Sequence, residues 1–193
     1  MAKLILSMFM SLDGYIEPPA GFEPPPWSKD VEAKWSQAAL AGAGHLIYGR
    51  VNFLFNKAFW SAAETDPASP AATISYAATM NRLPKTVASR TLTGDPGWNA
   101  RIVAQDLPGA VAALKRETQG DIFCFGGAGL ANSLVALDLV DEFRLMVTPL
   151  LFGDGKRLFG PGRRRLAIRH VETAPTDVGS VILRYARERG EAA

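Results

Sequence analysis

The chain has a single cysteine, Cys124, in 193 residues, which excludes an intrachain disulfide framework and a multi-cysteine metal site. Histidine is as scarce: His45 heads an apolar stretch and His170 sits within another, with no ligand partner at metal spacing, so no metal is expected. An excess of one charge is also missing. Twenty-one Lys and Arg face 19 Asp and Glu for a net +2, and the only basic run is Arg163 to Arg165, read as a solvated turn. Without a basic stripe to track phosphates, nucleic acid is not an expected partner. Apolar runs long enough to span a bilayer are lacking too, so no membrane partner is expected. The N-terminal stretch carries one basic residue and passes at once into Ser11-Leu12-Asp13-Gly14, so it reads as a first strand rather than a signal peptide. The expected location is a reducing, cytoplasmic one, where Cys124, between Phe123 and Phe125, serves as an inert core residue.

What is present is an ordinary globular composition, 48% hydrophobic and 21% charged, expected to form one domain over residues 1–193. Lys3 to Met10 reads as a buried strand ending at the Asp13-Gly14 turn. Gly14 to Pro26 contains five prolines and two glycines and reads as a long loop. Ser28 then caps a helix with Asp30 and Glu32 in its first turn, running to Gly42 or Gly44. Strands at His45 to Tyr48, Lys85 to Ser89, Arg101 to Ala104, Asp121 to Phe125 and Val140 to Leu150 alternate with helices. Those helices cover Val51 to Trp60, Ala71 to Leu83, the turn opened by Asp106 and Pro108, and Leu130 to Leu137. Leu166 to Thr173 and Gly179 to Arg187 close the chain as antiparallel strands. This order predicts an α/β fold: a mostly parallel mixed sheet, helices on both faces and an antiparallel C-terminal edge.

Two strand-glycine-helix junctions carry the chemistry, at Tyr48-Gly49-Arg50-Val51-Asn52 and at Phe125-Gly126-Gly127-Ala128-Gly129-Leu130. Glycine lets a phosphate oxygen approach the backbone, and the following helix supplies free amides and the positive end of its dipole. Each junction is equally a tight turn that packs helix on strand, and the second does not fit the G-x-G-x-x-G fingerprint of an ordinary dinucleotide fold. Leu12-Asp13-Gly14 is likewise a polar turn as much as a site. Asp30 and Glu32 already have a sufficient explanation in the helix dipole. Trp27, Trp35, Phe53 and Phe59 suit core packing, lid packing or an aromatic wall.

Five segments in order resemble the dihydrofolate-reductase-like superfamily, in the branch related to the reductase domain of bacterial riboflavin biosynthesis proteins. They are Ser11 to Ile16, Ile47 to Arg50, Val87 to Thr91, Phe125 to Gly129, and Asp141 to Leu145 continuing through Pro149 to Gly155. The resemblance implies a dihydrofolate-reductase-like fold and NADPH as cofactor. It implies that Gly49, Arg50 and Asn52 hold the phosphates, and that Ser89 and Arg90 grip the adenosine 2′-phosphate, Arg90 standing where a small hydroxyl residue is usual. It further implies that Gly126, Gly127, Ala128, Gly129 and Leu130 form the turn beside the pyrophosphate, and that Ser11, Leu12 and Asp13 face nicotinamide and substrate. Arg50 suits a phosphate physically, because a guanidinium forks onto its oxygens.

The same likeness makes Pro18 to Pro26 a lid, and Asp13 and Glu32 the candidate catalytic acids. The expected activity is NADPH-dependent reduction of a pteridine-like or aminouracil-like ring, with 5-amino-6-(5-phosphoribosylamino)uracil reductase as the nearest named activity. The expected partners are the small substrate and, as in relatives of this branch, a second copy in a homodimer. A non-catalytic nucleotide-binding module and a flavin-binding variant are the alternatives.

Overall fold

The computed structural model describes residues 1–160 and 165–189, so Arg163 and Arg164, and with them the reading of the basic run, lie outside the described residues. Among the described residues ten strands form: β1 (Leu4–Ser11), β2 (Tyr15–Glu17), β3 (Ala43–Gly49), β4 (Lys85–Ala88), β5 (Ala100–Val103), β6 (Asp121–Cys124), β7 (Glu142–Thr148), β8 (Lys156–Arg157), β9 (Ile168–Pro175) and β10 (Val181–Arg187). Eight of them make one sheet in the order β5-β4-β3-β6-β1-β7-β10-β9. From β5 to β7 every pairing is parallel, and β10 then pairs antiparallel with both β7 and β9. The expected α/β, mostly parallel sheet with an antiparallel C-terminal edge is the fold observed.

Alternation along the strands sends side chains to two cores. Leu4, Leu6 and Met8 of β1 join Ile47, Leu130 and Leu134 on one face, under α5 (Leu107–Glu117) and α6 (Ala128–Ala136). Ile5 turns the other way, toward Tyr48, Phe53, Met80 and Phe123 beneath α3 (Arg50–Thr65) and α4 (Ala71–Arg82). Helix α3 is longer than the pattern suggested, since no breaker intervenes before Pro67. Helix α6 begins earlier than expected, directly at the double glycine.

Ser28 caps as expected, its Oγ accepting the Val31 amide at 3.1 Å, and opens α1 (Lys29–Val31). The chain then widens into a π-turn over Glu32–Gln37 before α2 (Ala38–Gly42). Arg144 of β7 lies buried beneath that turn. Its guanidinium donates to the Lys34 and Trp35 carbonyls at 2.5 and 2.9 Å and to Ser7 Oγ at 3.3 Å, and stacks 4.2 Å from the Trp35 ring. Burial, reinforced by the neighbouring Arg184 charge, pulls its pKa down to about 10.

One expectation needs correcting. The stretch from Gly14 to Pro26 is not loop throughout: Tyr15–Glu17 pairs antiparallel with Lys156–Arg157, two segments too short to declare themselves locally. No helix among the described residues is long and apolar enough to cross a membrane, and no His, Cys, Asp and Glu cluster there could hold a metal.

Candidate functional site

The sheet order brings the two glycine junctions together. β3 and β6 are parallel neighbours, Ile47 opposite Cys124, so both chains leave the sheet at its carboxyl edge and turn into α3 and α6 side by side. A Cβ placed on Gly127 would lie 3.9 Å from the Gly49 nitrogen. The N-caps of these helices, Gly49 and Gly127, offer no side-chain cap, whereas the first amides of α1 and α5 are served by Ser28 and Asp106. The two helix openings therefore lie side by side at the carboxyl edge, with no side-chain cap on the leading amides of either. Gly126 and Gly127 adopt φ of 140° and 92°, which a side chain tolerates poorly, and a Cβ on Gly126 would collide with Asn52 Nδ2.

The proposed cofactor residues divide by what their side chains already do. Arg50 is exposed at the first position of α3. Gly49 stands opposite Ala88 on β4, so Ser89 and Arg90 emerge at the same edge beside it. Arg90 is exposed, while Ser89 Oγ accepts the amides of Thr91 and Leu92 at 3.2 and 3.0 Å and shapes that turn. Asn52 donates to the Phe125 carbonyl at 3.3 Å and accepts from Asn56. Leu130 is buried in the core, so only its backbone can serve a ligand. Leu12 is 68% exposed just past the end of β1.

Asp13 is tightly held. Its Oδ1 accepts from Ser11 Oγ at 2.5 Å and from the Phe152 amide at 3.2 Å, and its Oδ2 accepts from the Gly153 amide at 2.7 Å. The Ser11 hydrogen bond, aided by those amides, keeps its carboxyl below the usual carboxylate range, so it braces the 150–155 loop as an anion. Beside it, under the proline-rich loop, lies a slot of about 10 Å³ lined by Phe9, Met10, Ser11, Tyr15, Ile16, Thr148, Leu150 and Phe152 and roofed by Glu23 and Pro25. That is room for about one water. Phe22 of the loop rests between Phe9 and Phe55, its ring 5.9 and 6.0 Å from theirs.

Glu32 is half-buried on the π-turn and does not line the slot; the acidic residue that does is the exposed Glu23. Sequence reasoning passed over Glu23 and Phe22, and the available signal was an aromatic and an acid stranded in a run of prolines. Asp30 is tied to Lys34 and to the Asp177 amide, away from the slot.

A wider cleft, about 670 Å³, opens at the opposite, amino edge of the strands, but its buried polar side chains are engaged in the fold. His45 Nε2 bonds Thr86 Oγ1 at 2.9 Å, and the Lys85 ammonium donates to the Asn81 and Leu83 carbonyls and lies 4.2 Å from the Trp98 ring centre. Cys124 is fully buried, and burial drives its thiol up to about 12, an inert core residue as expected.

Residues 2–181 match the family described as the RibD C-terminal domain. The chain belongs to that family. Among curated proteins it is 28% identical over 191 residues to the uncharacterized protein YyaP of Bacillus subtilis (strain 168), covering 95% of this chain and 94% of that one. Among solved structures it resembles a protein provisionally assigned to riboflavin biosynthesis from Shewanella sp. PV-4, with a TM-score of 0.75 at 22% identity over 97% of this chain and 99% of the other. The deaminase/5-amino-6-(5-phosphoribosylamino)uracil reductase of Thermotoga maritima matches with a TM-score of 0.67 at 12% identity, over 96% of this chain and 56% of that one. At such identities these structures share the fold with this RibD C-terminal domain protein. Membership of the family makes the chain a reductase-like module of the riboflavin-biosynthesis type.

Proposed function

We propose that this RibD C-terminal domain protein is an NADPH-dependent reductase of a small pteridine-like or aminouracil-like heterocycle, the nearest named activity being the 5-amino-6-(5-phosphoribosylamino)uracil reductase of the Thermotoga protein. One observation carries the reading: two uncapped helix N-termini, at Gly49 and Gly127, converge at the carboxyl edge of the sheet with Arg50 and Arg90 beside them. The residues present fit a dinucleotide. A Cβ would fill the cradle at Gly126, the leading amides of α3 and α6 would receive the diphosphate, and Arg50 and Arg90 would distinguish a 2′-phosphate from a hydroxyl. NADPH supplies a hydride when bound. The chain's own residues orient and enclose: Leu12 walls the crevice, Asp13 fixes the loop at Phe152 and Gly153, and the roof of Phe22, Glu23 and Pro25 keeps out water. Because Asp13 is held as an anion, the proton comes through water rather than from that carboxyl.

Titration with NADPH and separately with NADH, followed by tryptophan fluorescence and repeated on Arg50→Ala, tests the reading. Preference for NADPH that is lost in the variant supports it; binding of neither nucleotide overturns it. A non-catalytic nucleotide-binding module is the second reading, favoured by the engagement of Asp13 in the fold, and NADPH oxidation across a panel of reducible heterocycles separates the two. A homodimer belongs to the same proposal, with the exposed Ile168 and Val171 of edge strand β9 as a surface to cover, and sedimentation velocity decides it.

A further inference from the structure

Phe22 joins two aromatic rings that do not otherwise meet. Phe9, near the carboxyl end of β1, has its ring 6.3 Å from that of Trp35 on the π-turn. Phe55 lies on α3, about two turns in from the helix opening at Gly49, with its ring 6.5 Å from that of Phe59. The ring of Phe22 stands between Phe9 and Phe55, tilted 45° to one and 56° to the other, with centroids 5.9 and 6.0 Å away. The gap is therefore wide enough for one flat ring and aromatic on both sides, surroundings that suit a heteroaromatic ring. It is distinct from the slot beneath the loop, since a phenyl ring already fits in it.

Phe22 is lightly held there. Its side chain is 53% exposed and that of Phe55 58%, so their contact buries little surface. From Phe22 to Trp27 no backbone hydrogen bond is made among the described residues. Gly21, just before, turns at a φ of 106° in open space, with nothing within 4 Å of a Cβ placed on it. Pro24 to Pro26 stiffen the chain up to Ser28, whose hydroxyl donates to Asp177. The loop is thus fixed at its two ends, by the pairing of β2 with β8 and by Ser28, and carries an aromatic ring on an unbonded stretch beside a glycine pivot.

Deepening the reductase reading and resting on it, we propose that the gap between Phe9 and Phe55 is the subsite for the flat ring of the substrate, and that Phe22 is the chain's own occupant of it, displaced when that ring enters. In the empty protein Phe22 keeps water off the two apolar walls. The arriving ring takes over both contacts, so the two rings compete for one place, and the affinity measured for the substrate is lowered by the fraction of molecules in which Phe22 is seated.

The probe for the test is lumazine, a flat pteridine-2,4-dione, titrated by calorimetry into the full chain as wild type, Phe22→Ala and the double variant Phe22→Ala/Phe55→Ala. Both side chains are more than half exposed, so neither truncation opens the core. Phe22→Ala binds lumazine about five- to fifty-fold tighter than the wild type, because the competing ring is gone, and adding Phe55→Ala then weakens binding about two- to ten-fold, the worth of one ring contact. Weaker binding by Phe22→Ala would make Phe22 a wall over the bound ring rather than its competitor, and overturns the inference. Unchanged affinity, indifference to Phe55→Ala, or no binding of lumazine by any of the three proteins overturns it as well. NADPH affinity is read separately on the wild type. Absent NADPH binding with the lumazine pattern intact removes the reductase reading and leaves the ring subsite standing, whereas NADPH binding without that pattern removes the subsite and leaves the reading.

Discussion

Asn52 of α3 donates its side-chain amide to the carbonyl of Phe125, at 3.3 Å, across the gap between two neighbouring strand ends. This bond holds the first turn of one helix against the turn that opens the other, and the absence of a Cβ at Gly126 makes room for it.

Gly126→Ala therefore places a methyl on the Asn52 amide at a backbone φ of 140°. NADPH affinity falls by more than ten-fold and stability drops by about 1–3 kcal/mol. Gly129→Ala, where a Cβ meets no protein atom within 4 Å, leaves stability unchanged. Nucleotide titration and urea unfolding of the two variants check the contrast.

Asp13→Asn keeps the shape of the side chain but gives up the anion that accepts from Ser11, Phe152 and Gly153. The 150–155 loop loosens and turnover falls about ten-fold. Because the Asp13 carboxyl already titrates below the usual range, the substitution does not move the acid limb of a kcat profile recorded above pH 5. A shifted acid limb would instead make Asp13 the proton donor.

His45 titrates near pH 4 rather than 6.5, first because it is buried and second because Arg101 and Lys85 repel its proton. Between those values the unfolded chain binds more protons than the folded one, so stability falls as pH drops from 6.5 toward 4. The loss reaches at most about 3 kcal/mol. His45→Gln, which can still bond Thr86, flattens this part of the stability curve, and urea midpoints measured from pH 4 to 7 record it.

Arg144→Leu leaves the Lys34 and Trp35 carbonyls without their buried donor. Unfolding free energy falls by about 2–4 kcal/mol, and Arg144→Lys recovers only part of it because an ammonium cannot fork to both carbonyls and stack on Trp35. Denaturant titration gives the size, and amide exchange over residues 32–42 locates it.

Much of this was legible because short-range chemistry announces itself. Ser28 and Asp106 were readable as caps from residue type and position, and each accepts the expected amide, from Val31 and from Gly109. The antiparallel close of the sheet followed from two apolar runs with no helix between them. Tyr15–Glu17 was not readable as a strand, since its partner is a two-residue segment about 140 positions away and local propensity carries no trace of such a pair. Arg144 could be placed on the face of β7 shared with Met146 and Thr148, but only the π-turn above it makes that face buried. The family resemblance pointed to Glu32 and left Glu23 out of consideration, and the path of a proline-rich loop is not encoded in spacing.

The sequence by itself determined the alternation of strands and helices, the glycines at two helix openings, the family resemblance and the inertness of Cys124, because each depends on neighbours a few residues apart. Tertiary structure alone decided that β3 and β6 lie side by side, so that Gly49 meets Gly127, and that Glu23 rather than Glu32 reaches the slot. Strand order and loop path are settled by the burial of surfaces distant in sequence, a collective free energy that no local window contains.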